Sequence, residues 1–403
     1  MDKIDEVLTR GVEKIYPSRK AFEKVLRSGK KIKLYQGFDP SMANLHLGNL
    51  VGILKLRQFQ DLGHKVIFLV GDFTGMIGDP TDRTSVRPQL TKKQVLENSK
   101  NWKQQAGKIL NFKGKNPAKL LYNSQWLSKL SFAELLNLSH HLTYQQIAKR
   151  DMFRKRQKEG KDIHLHEFLY PLMQGYDGVA MNVDLEIGGS DQMFNMLVGR
   201  DLMRKLKGKE KFVLTTRLLV DAKGEKAGKT AGNALFLNAT PVNMYGGIMS
   251  FPDETIISGF ELLTQVSLQS IEAMKKEMKS GKTNPMNLKK LLAFEIVKML
   301  YGKKDAKNAE KEFERQFQKR ELPTQIAWTA AVEKGVYTIS KLMSKLIPDY
   351  AGTATISATK RLIKQEGLEF EGRKINDPQL EVSVNGGEIV KAGKRRIYKI
   401  RTK

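Results

Sequence analysis

The 403-residue chain contains no cysteine. That rules out disulfides, thiolate metal ligands and a thiol nucleophile, and it fits a reducing compartment, so the expected location is the cytoplasm. Apolar runs long enough to cross a bilayer are also missing, which argues against a membrane protein. The N-terminus lacks the basic-then-apolar order of a signal peptide. Instead Ile4, Val7, Leu8 and Val12 have the spacing of an amphipathic helix. No serine stands in a Gly-x-Ser-x-Gly elbow, and there is no internal repeat or low-complexity tract. Acid is in short supply, with 43 Asp and Glu against 70 Lys and Arg, for a formal net charge of +27. Such a deficit suggests a polyanionic partner, most simply nucleic acid. Basic residues crowd the C-terminal end as Lys391, Lys394, Arg395, Arg396, Lys399, Arg401 and Lys403, with Tyr398 among them.

Against these absences stands a dense stretch running from Tyr35-Gln36-Gly37-Phe38-Asp39-Pro40-Ser41 to Leu45-His46-Leu47-Gly48-Asn49. A strand-like run breaks at a glycine, passes through a turn carrying an acid and a histidine, and enters a helix with apolar spacing at Leu50, Ile53 and Leu54. Turns of this kind bring backbone N–H groups and a helix N-terminus up to phosphates. A second element, Gly224-Glu225-Lys226-Ala227-Gly228-Lys229-Thr230-Ala231-Gly232-Asn233, places two lysines three residues apart in a glycine-rich stretch. Ammonium groups in such a loop can follow charge as it develops on a departing pyrophosphate. Gly228-Lys229-Thr230 ends like a P-loop, but position 223 is lysine where that motif needs glycine, so a Walker fold is not expected.

The length predicts two or three domains. From residue 31 to about 220 strand-like and helix-like stretches alternate, predicting a parallel α/β sheet. Lys65 to Val70 reads as a buried strand followed by Gly71-Asp72-Phe73-Thr74-Gly75-Met76-Ile77-Gly78-Asp79-Pro80. Asp184 to Ile187 reads as another, running into Gly188-Gly189-Ser190-Asp191-Gln192. Three strands ending in glycine–acid loops point to a ligand at one carboxyl edge. Residues 90–175 read as a helical insertion, 246–320 as a helical domain containing a helix that starts at Asn284-Pro285 and ends at Gly302, and 321–335 as a linker. Residues 336–403 read as a small mixed domain with a turn at Asn385-Gly386-Gly387.

Taken together, these blocks resemble the bacterial tyrosyl-tRNA synthetases of class I over nearly the whole chain. The turn carrying His46 resembles the HIGH signature, and the lysine loop, about 221–234, is similar to KMSKS in a KxGKT form. Gly71 to Pro80, Tyr170-x-x-x-Gln174-x-Tyr176-Asp177 and Gly188 to Gln192 resemble tyrosyl-specific blocks. His166 to Pro171 and Glu186 to Gly189 resemble the subgroup with a shorter C-terminal extension, and the tail from 336 resembles an S4-like RNA-binding domain. The resemblance implies an α/β Rossmann-like parallel-sheet catalytic domain over 1–245, then a helical anticodon-binding domain and an α+β S4-like domain. It implies activation of L-tyrosine by ATP, transfer to tRNA(Tyr), Mg2+ accompanying ATP, and a homodimer.

Residue by residue, the resemblance implies that His46 and Asn49 contact the nucleotide. Lys226, Lys229 and Thr230 would grip pyrophosphate with help from Arg83 and Arg87, and Gly37, Asp39, Ser41, Gly48, Gly189 and Asp191 would hold adenosine and ribose. Tyr35 and Asp177 would bind the substrate phenol, while Asp79, Tyr170, Gln174 and Gln192 would bind its amino and carboxylate groups, with Asn123 supporting Asp79. Tyr170, Gln174 and Asp177 stand at i, i+4 and i+7, one face of a helix, whereas Tyr176 reads as core packing. Three positions depart from the family pattern: Asn49 replaces the signature's second histidine, Ala227 a larger apolar residue, and Glu186 a glutamine. His164 and His166 lack a third ligand, so no protein metal site is expected. The competing readings are a tryptophan-specific sister enzyme, which should lack the Tyr35 and Asp177 pair, and a non-catalytic S4-type RNA-binding protein, which has no need of the lysine loop.

Overall fold

The computed structural model describes residues 2–81, 89–220, 234–318, 326–346, 356–393 and 397–403. They form two compact units, Met1–Lys307 and Asn308–Lys403. The first is built on a six-stranded sheet of β1 (Val12–Tyr16), β2 (Lys33–Phe38), β3 (Lys65–Val70), β4 (Lys119–Tyr122), β5 (Leu185–Gly189) and β6 (Phe212–Thr216). Across the sheet they lie in the order β1-β6-β5-β2-β3-β4. Strands β2 to β6 pair in parallel, as the alternating pattern predicts, and β1 closes one edge antiparallel to β6. All of β3 from Val66 to Val70 is buried, which suits a strand covered on both faces.

From β2 the chain runs out to β3 and β4 on one side, then returns to β5 and β6 on the other. The reversal opens a crevice between the carboxyl ends of β2 and β5, where open α/β sheets receive ligands. The Leu47–Asp61 helix that follows β2 is buried nearly all round rather than along one stripe, and even Lys55 and Gln60 are inside. Lys55 donates to the carbonyls of Val7 at 2.9 Å and Arg10 at 2.7 Å. Burial pushes its ammonium down to about 7.

The stretch read as a helical insertion is not purely helical, because Lys119–Tyr122 adds β4 to the sheet. Four residues are too few to show a period in sequence. Beyond the sheet, helices Pro241–Met249, Ile256–Leu263, Leu268–Lys279 and Pro285–Tyr301 complete this unit. The last begins as predicted: the Asn284 side chain accepts the Met286 N–H at 2.9 Å and Pro285 takes the first position.

The second unit has a five-stranded sheet of β7 (Ala327–Val332), β9 (Leu368–Phe370), β10 (Arg373–Lys374), β12 (Ile389–Ala392) and β13 (Ile397–Thr402). A two-stranded sheet joins β8 (Gly335–Thr338) to β11 (Glu381–Val384). Its core gathers Ile339, Leu342, Met343, Leu346, Ile363, Val390 and Ile400. Strand β7 lies within the stretch expected to be a linker. Its Ala-Trp-Thr-Ala-Ala-Val sequence has little strand signal of its own, and it is ordered by parallel pairing with β13, some seventy residues on.

Candidate active site

Four segments leave the carboxyl edge of the first unit's sheet, after β2, β3, β4 and β5, and meet around one cavity of about 240 Å3. The residues lining it include Tyr35, Gly37, Asp39, Ser41, His46, Gly48 and Asn49 from the first turn, Asp79 and Asn123 from the second and third, and Tyr170, Gln174 and Asp177 from one helix face. Gly189, Asp191 and Gln192 complete it from the turn after β5. Residues scattered over more than 150 positions thus line one cavity. Arg83, Arg87, Lys226, Ala227, Lys229 and Thr230 lie outside the described residues. The described flanks of 221–233 do border the site. Leu218 and Leu219 line the cavity, Leu47 N–H donates to the Leu235 carbonyl at 3.0 Å, and Leu237 N–H donates to the Leu45 carbonyl at 2.7 Å.

At the floor, Tyr35 is 1% and Asp177 3% exposed. The Tyr35 hydroxyl donates to the Gln174 carbonyl at 3.4 Å. Trp126 Nε1–H donates to Asp177 Oδ1 at 2.7 Å, and the Asn123 amide donates to Oδ2 at 3.2 Å. Asn123 therefore serves Asp177, not Asp79 as the resemblance implied. It sits just past β4 and beside the helix that carries Asp177, and its Oδ1 is taken by Phe73 N–H at 2.9 Å. Burial pushes the Asp177 carboxyl well above the usual carboxylate range against the pull of its two donors. It also raises the Tyr35 hydroxyl, with the Glu186 charge adding to the effect.

Nearer the mouth, Asp39 accepts from Thr74 Oγ1 at 2.6 Å and from the Tyr170 hydroxyl at 2.7 Å, so one carboxylate joins the β2 turn to the recognition helix. Burial, then the Asp39 charge, raises the Tyr170 hydroxyl. Asp79 is held by Thr81 and by Gln192, whose amide nitrogen lies 2.6 Å from Oδ2. Gly48 is needed because the His46 ring folds over it, and a Cβ there would lie 2.8 Å from His46 Cε1. Glycine at this point brings a helix N-terminus, with its exposed N–H groups, to the cavity wall. The arrangement offers a deep floor of buried hydroxyl and carboxyl groups, a belt of acceptors and a rim formed by a helix N-terminus.

A family model described as "tRNA synthetases class I (W and Y)" matches residues 27–318. Curated tyrosine–tRNA ligases of Thermotoga maritima and Moorella thermoacetica are 38% and 39% identical, each over 98% of this chain and over 96% and 95% of their own. The chain belongs to the class I tRNA synthetases, in the group of the tyrosine–tRNA ligases. Solved structures share the fold. A truncated mitochondrial tyrosyl-tRNA synthetase of Coccidioides posadasii aligns with TM-score 0.63 at 24% identity, over 77% of this chain and 91% of that one. The Archaeoglobus fulgidus enzyme complexed with L-tyrosine aligns with TM-score 0.61 at 20% identity, over 77% and 100%.

Within this family two departures gain a structural explanation. Asn49 Oδ1 accepts the His46 N–H at 3.0 Å, so it closes the helix N-terminus and leaves its amide nitrogen as the donor end. Glu186 is 2% exposed and bridged to Lys211 Nζ, itself 0% exposed. Lys211 and Trp126 were missed in the sequence. A lysine in Lys-Glu-Lys-Phe reads as surface charge and a lone tryptophan as core. The available signal was a glutamate in a buried strand, which needs a cation. His164, whose N–H donates to Glu167 at 2.9 Å, stacks its ring on His166.

Proposed function

We propose that the protein activates L-tyrosine with ATP and transfers the tyrosyl group to tRNA(Tyr), with the cavity as its active site. The observation that carries the reading is the buried Tyr35 and Asp177 pair beneath a glycine-turned helix N-terminus in one cavity. The phenol of the substrate would meet Asp177 and Tyr35, and its ammonium would meet the acceptors of Asp79, Gln174 and Tyr170. A substrate carboxylate oxygen then attacks the α-phosphorus of ATP, and the bond to the bridging oxygen of pyrophosphate breaks. Negative charge grows on the departing phosphates, where positioning and donors matter more than a covalent nucleophile. His46 is at hand on the rim, and Lys226, Lys229 and Thr230, with Arg83 and Arg87, are the proposed grip. Gly37, Ser41, Gly48, Asn49, Gly189 and Asp191 would seat adenosine and ribose. In the second step the terminal ribose hydroxyl of tRNA takes the tyrosyl group and AMP leaves.

Mg2+ would arrive with the ATP phosphates rather than in a protein cage, since Asp39 and Asp79 are already engaged by neighbouring side chains. A homodimer is supported by large apolar side chains left exposed between 132 and 165: Phe132 at 76%, Leu136 at 54%, Tyr144 at 61% and Leu165 at 81%. Anticodon binding by the helices after the sheet, RNA binding by the S4-like tail, and a location in the cytoplasm belong to the same proposal. Among the described residues no helix is long and apolar enough to cross a membrane.

The test is exchange of labelled pyrophosphate into ATP with tyrosine, phenylalanine and tryptophan in parallel. Tyrosine alone should support exchange; none with tyrosine, or equal rates with tryptophan, overturns the assignment. Asp177→Asn should cut the preference for tyrosine over phenylalanine by about tenfold to a hundredfold, the range for a buried polar partner lost. Lys229→Ala should slow adenylate formation far more than it weakens tyrosine binding.

A further inference from the structure

A continuous hydrogen-bonded chain runs beneath the acceptor belt. The ammonium of Lys211 is bound to Glu186 Oε2. Glu186 Oε1 accepts the Gln174 amide nitrogen at 3.1 Å. Gln174 Oε1 accepts from Asn195 Nδ2 at 3.0 Å, and the same nitrogen donates to Gln192 Oε1 at 3.2 Å. Gln192 Nε2 finally donates to Asp79 Oδ2 at 2.6 Å. Gln174, Glu186, Gln192 and Asp79 line the cavity, whereas Lys211 and Asn195 lie behind it, each 0% exposed.

The polarity of this chain is not free. An amide can turn either end to a neighbour, but a lysine only donates and an ionised carboxylate only accepts. Glu186, whose other oxygen is bound by Lys211, takes the nitrogen of Gln174, and Asp79 takes the nitrogen of Gln192. Both glutamine oxygens then face Asn195, which turns its own nitrogen to them and leaves its Oδ1 without a partner among the described residues. The space for the cation is built in. A Cβ on Gly199 would lie 2.5 Å from Lys211 Nζ, and one on Gly178 would lie 3.3 Å from it. Lys211 thus reaches Glu186 through a slot between two glycines. Without it, Glu186 loses the donor that fixes its Oε2, and Gln174 could turn over.

We propose that the buried Lys211–Glu186 pair is a positioning device that fixes the amide orientation of Gln174 and Gln192, so that each amide oxygen, with one lone pair on Asn195, keeps the other for the ammonium group of the amino-acid substrate. This rests on the proposed activation of tyrosine and identifies what orders its amino-group pocket. In Glu186→Gln, Lys211 holds the new carbonyl, so the new NH2 faces the nitrogen of Gln174 and turns that amide over. In K211M/E186Q the constraint is gone and the new amide can present its oxygen again.

Calorimetry with two analogues separates positioning from general damage. Tyrosinol keeps the amine and lacks the carboxylate; 3-(4-hydroxyphenyl)propanoate keeps the phenol and lacks the amine. E186Q, checked for folding by thermal melting, should lose about tenfold in tyrosinol affinity, the effect of one buried hydrogen bond, and stay within about twofold for the propanoate. K211M should act alike, and K211M/E186Q should recover most of the loss. KM for tyrosine should rise in the single variants while KM for ATP holds. Equal losses for both analogues, no loss at all, or no recovery in the double variant would overturn the proposal. Absence of tyrosine-dependent exchange in the unaltered protein would overturn the functional reading instead, and the calorimetry reads the pair in either case.

Discussion

At the residue scale, the site is a set of side chains whose neighbours are far away in sequence. Asn49 shows how much a single position carries. By capping the His46 N–H it does the structural work of a helix start while standing where the nucleotide is expected. Asn49→Ala should therefore lower stability by about 1 kcal/mol, the usual worth of a cap, and raise KM for ATP; melting and exchange kinetics read the two separately. Asn49→His should keep ATP binding but lose part of the cap. His64 offers a test by pH. Its ring is buried beside β2, where Nδ1 accepts the Ile32 N–H at 3.5 Å. Burial, and then the Lys31 charge, pushes it down to about 4 from 6.5. The folded protein binds fewer protons than the unfolded chain between those values, so the contribution is full above pH 6.5 and is lost as pH falls towards 4. Discounted for solvent screening it amounts to about 1–2 kcal/mol, and His64→Gln should flatten the stability profile over that window.

At the element scale, the helices carrying Gln174 and Asn195 touch backbone to backbone, because both present glycine at the crossing. A Cβ on Gly199 would stand 3.0 Å from the Gly175 Cα and closer still to Lys211 Nζ. Gly199→Ala should therefore cost about 1–3 kcal/mol in a denaturant titration, as overpacking does, with a loss of tyrosine binding larger than of ATP binding. The face shared by Tyr170, Gln174 and Asp177 was legible from helical spacing, as were the glycine turns after β2, β3 and β5. Strands β4 and β7 were not. Each is short, and pairing with a distant strand, which local pattern does not encode, makes it a strand.

At the scale of the whole molecule, every described cavity residue belongs to the unit Met1–Lys307, while the basic C-terminal run belongs to Asn308–Lys403. A chain ending at residue 318 should therefore keep tyrosine-dependent pyrophosphate exchange within about threefold. Its charging of tRNA should fall by at least about tenfold and lose part of its salt dependence, because the basic C-terminal run goes with the tail. Comparable loss in both reactions would mean that the tail supports the catalytic unit. The sequence by itself determined the parallel sheet, the three glycine turns at its carboxyl edge and the helix face of Tyr170, Gln174 and Asp177, since glycine, charge and period act locally and leave a local trace. Only the tertiary structure decided that Asn123 and Trp126 serve Asp177, that Lys211 answers Glu186, and that the Leu47–Asp61 helix is buried nearly all round. Burial and pairing across a fold depend on which surfaces meet, and no window along the chain contains both.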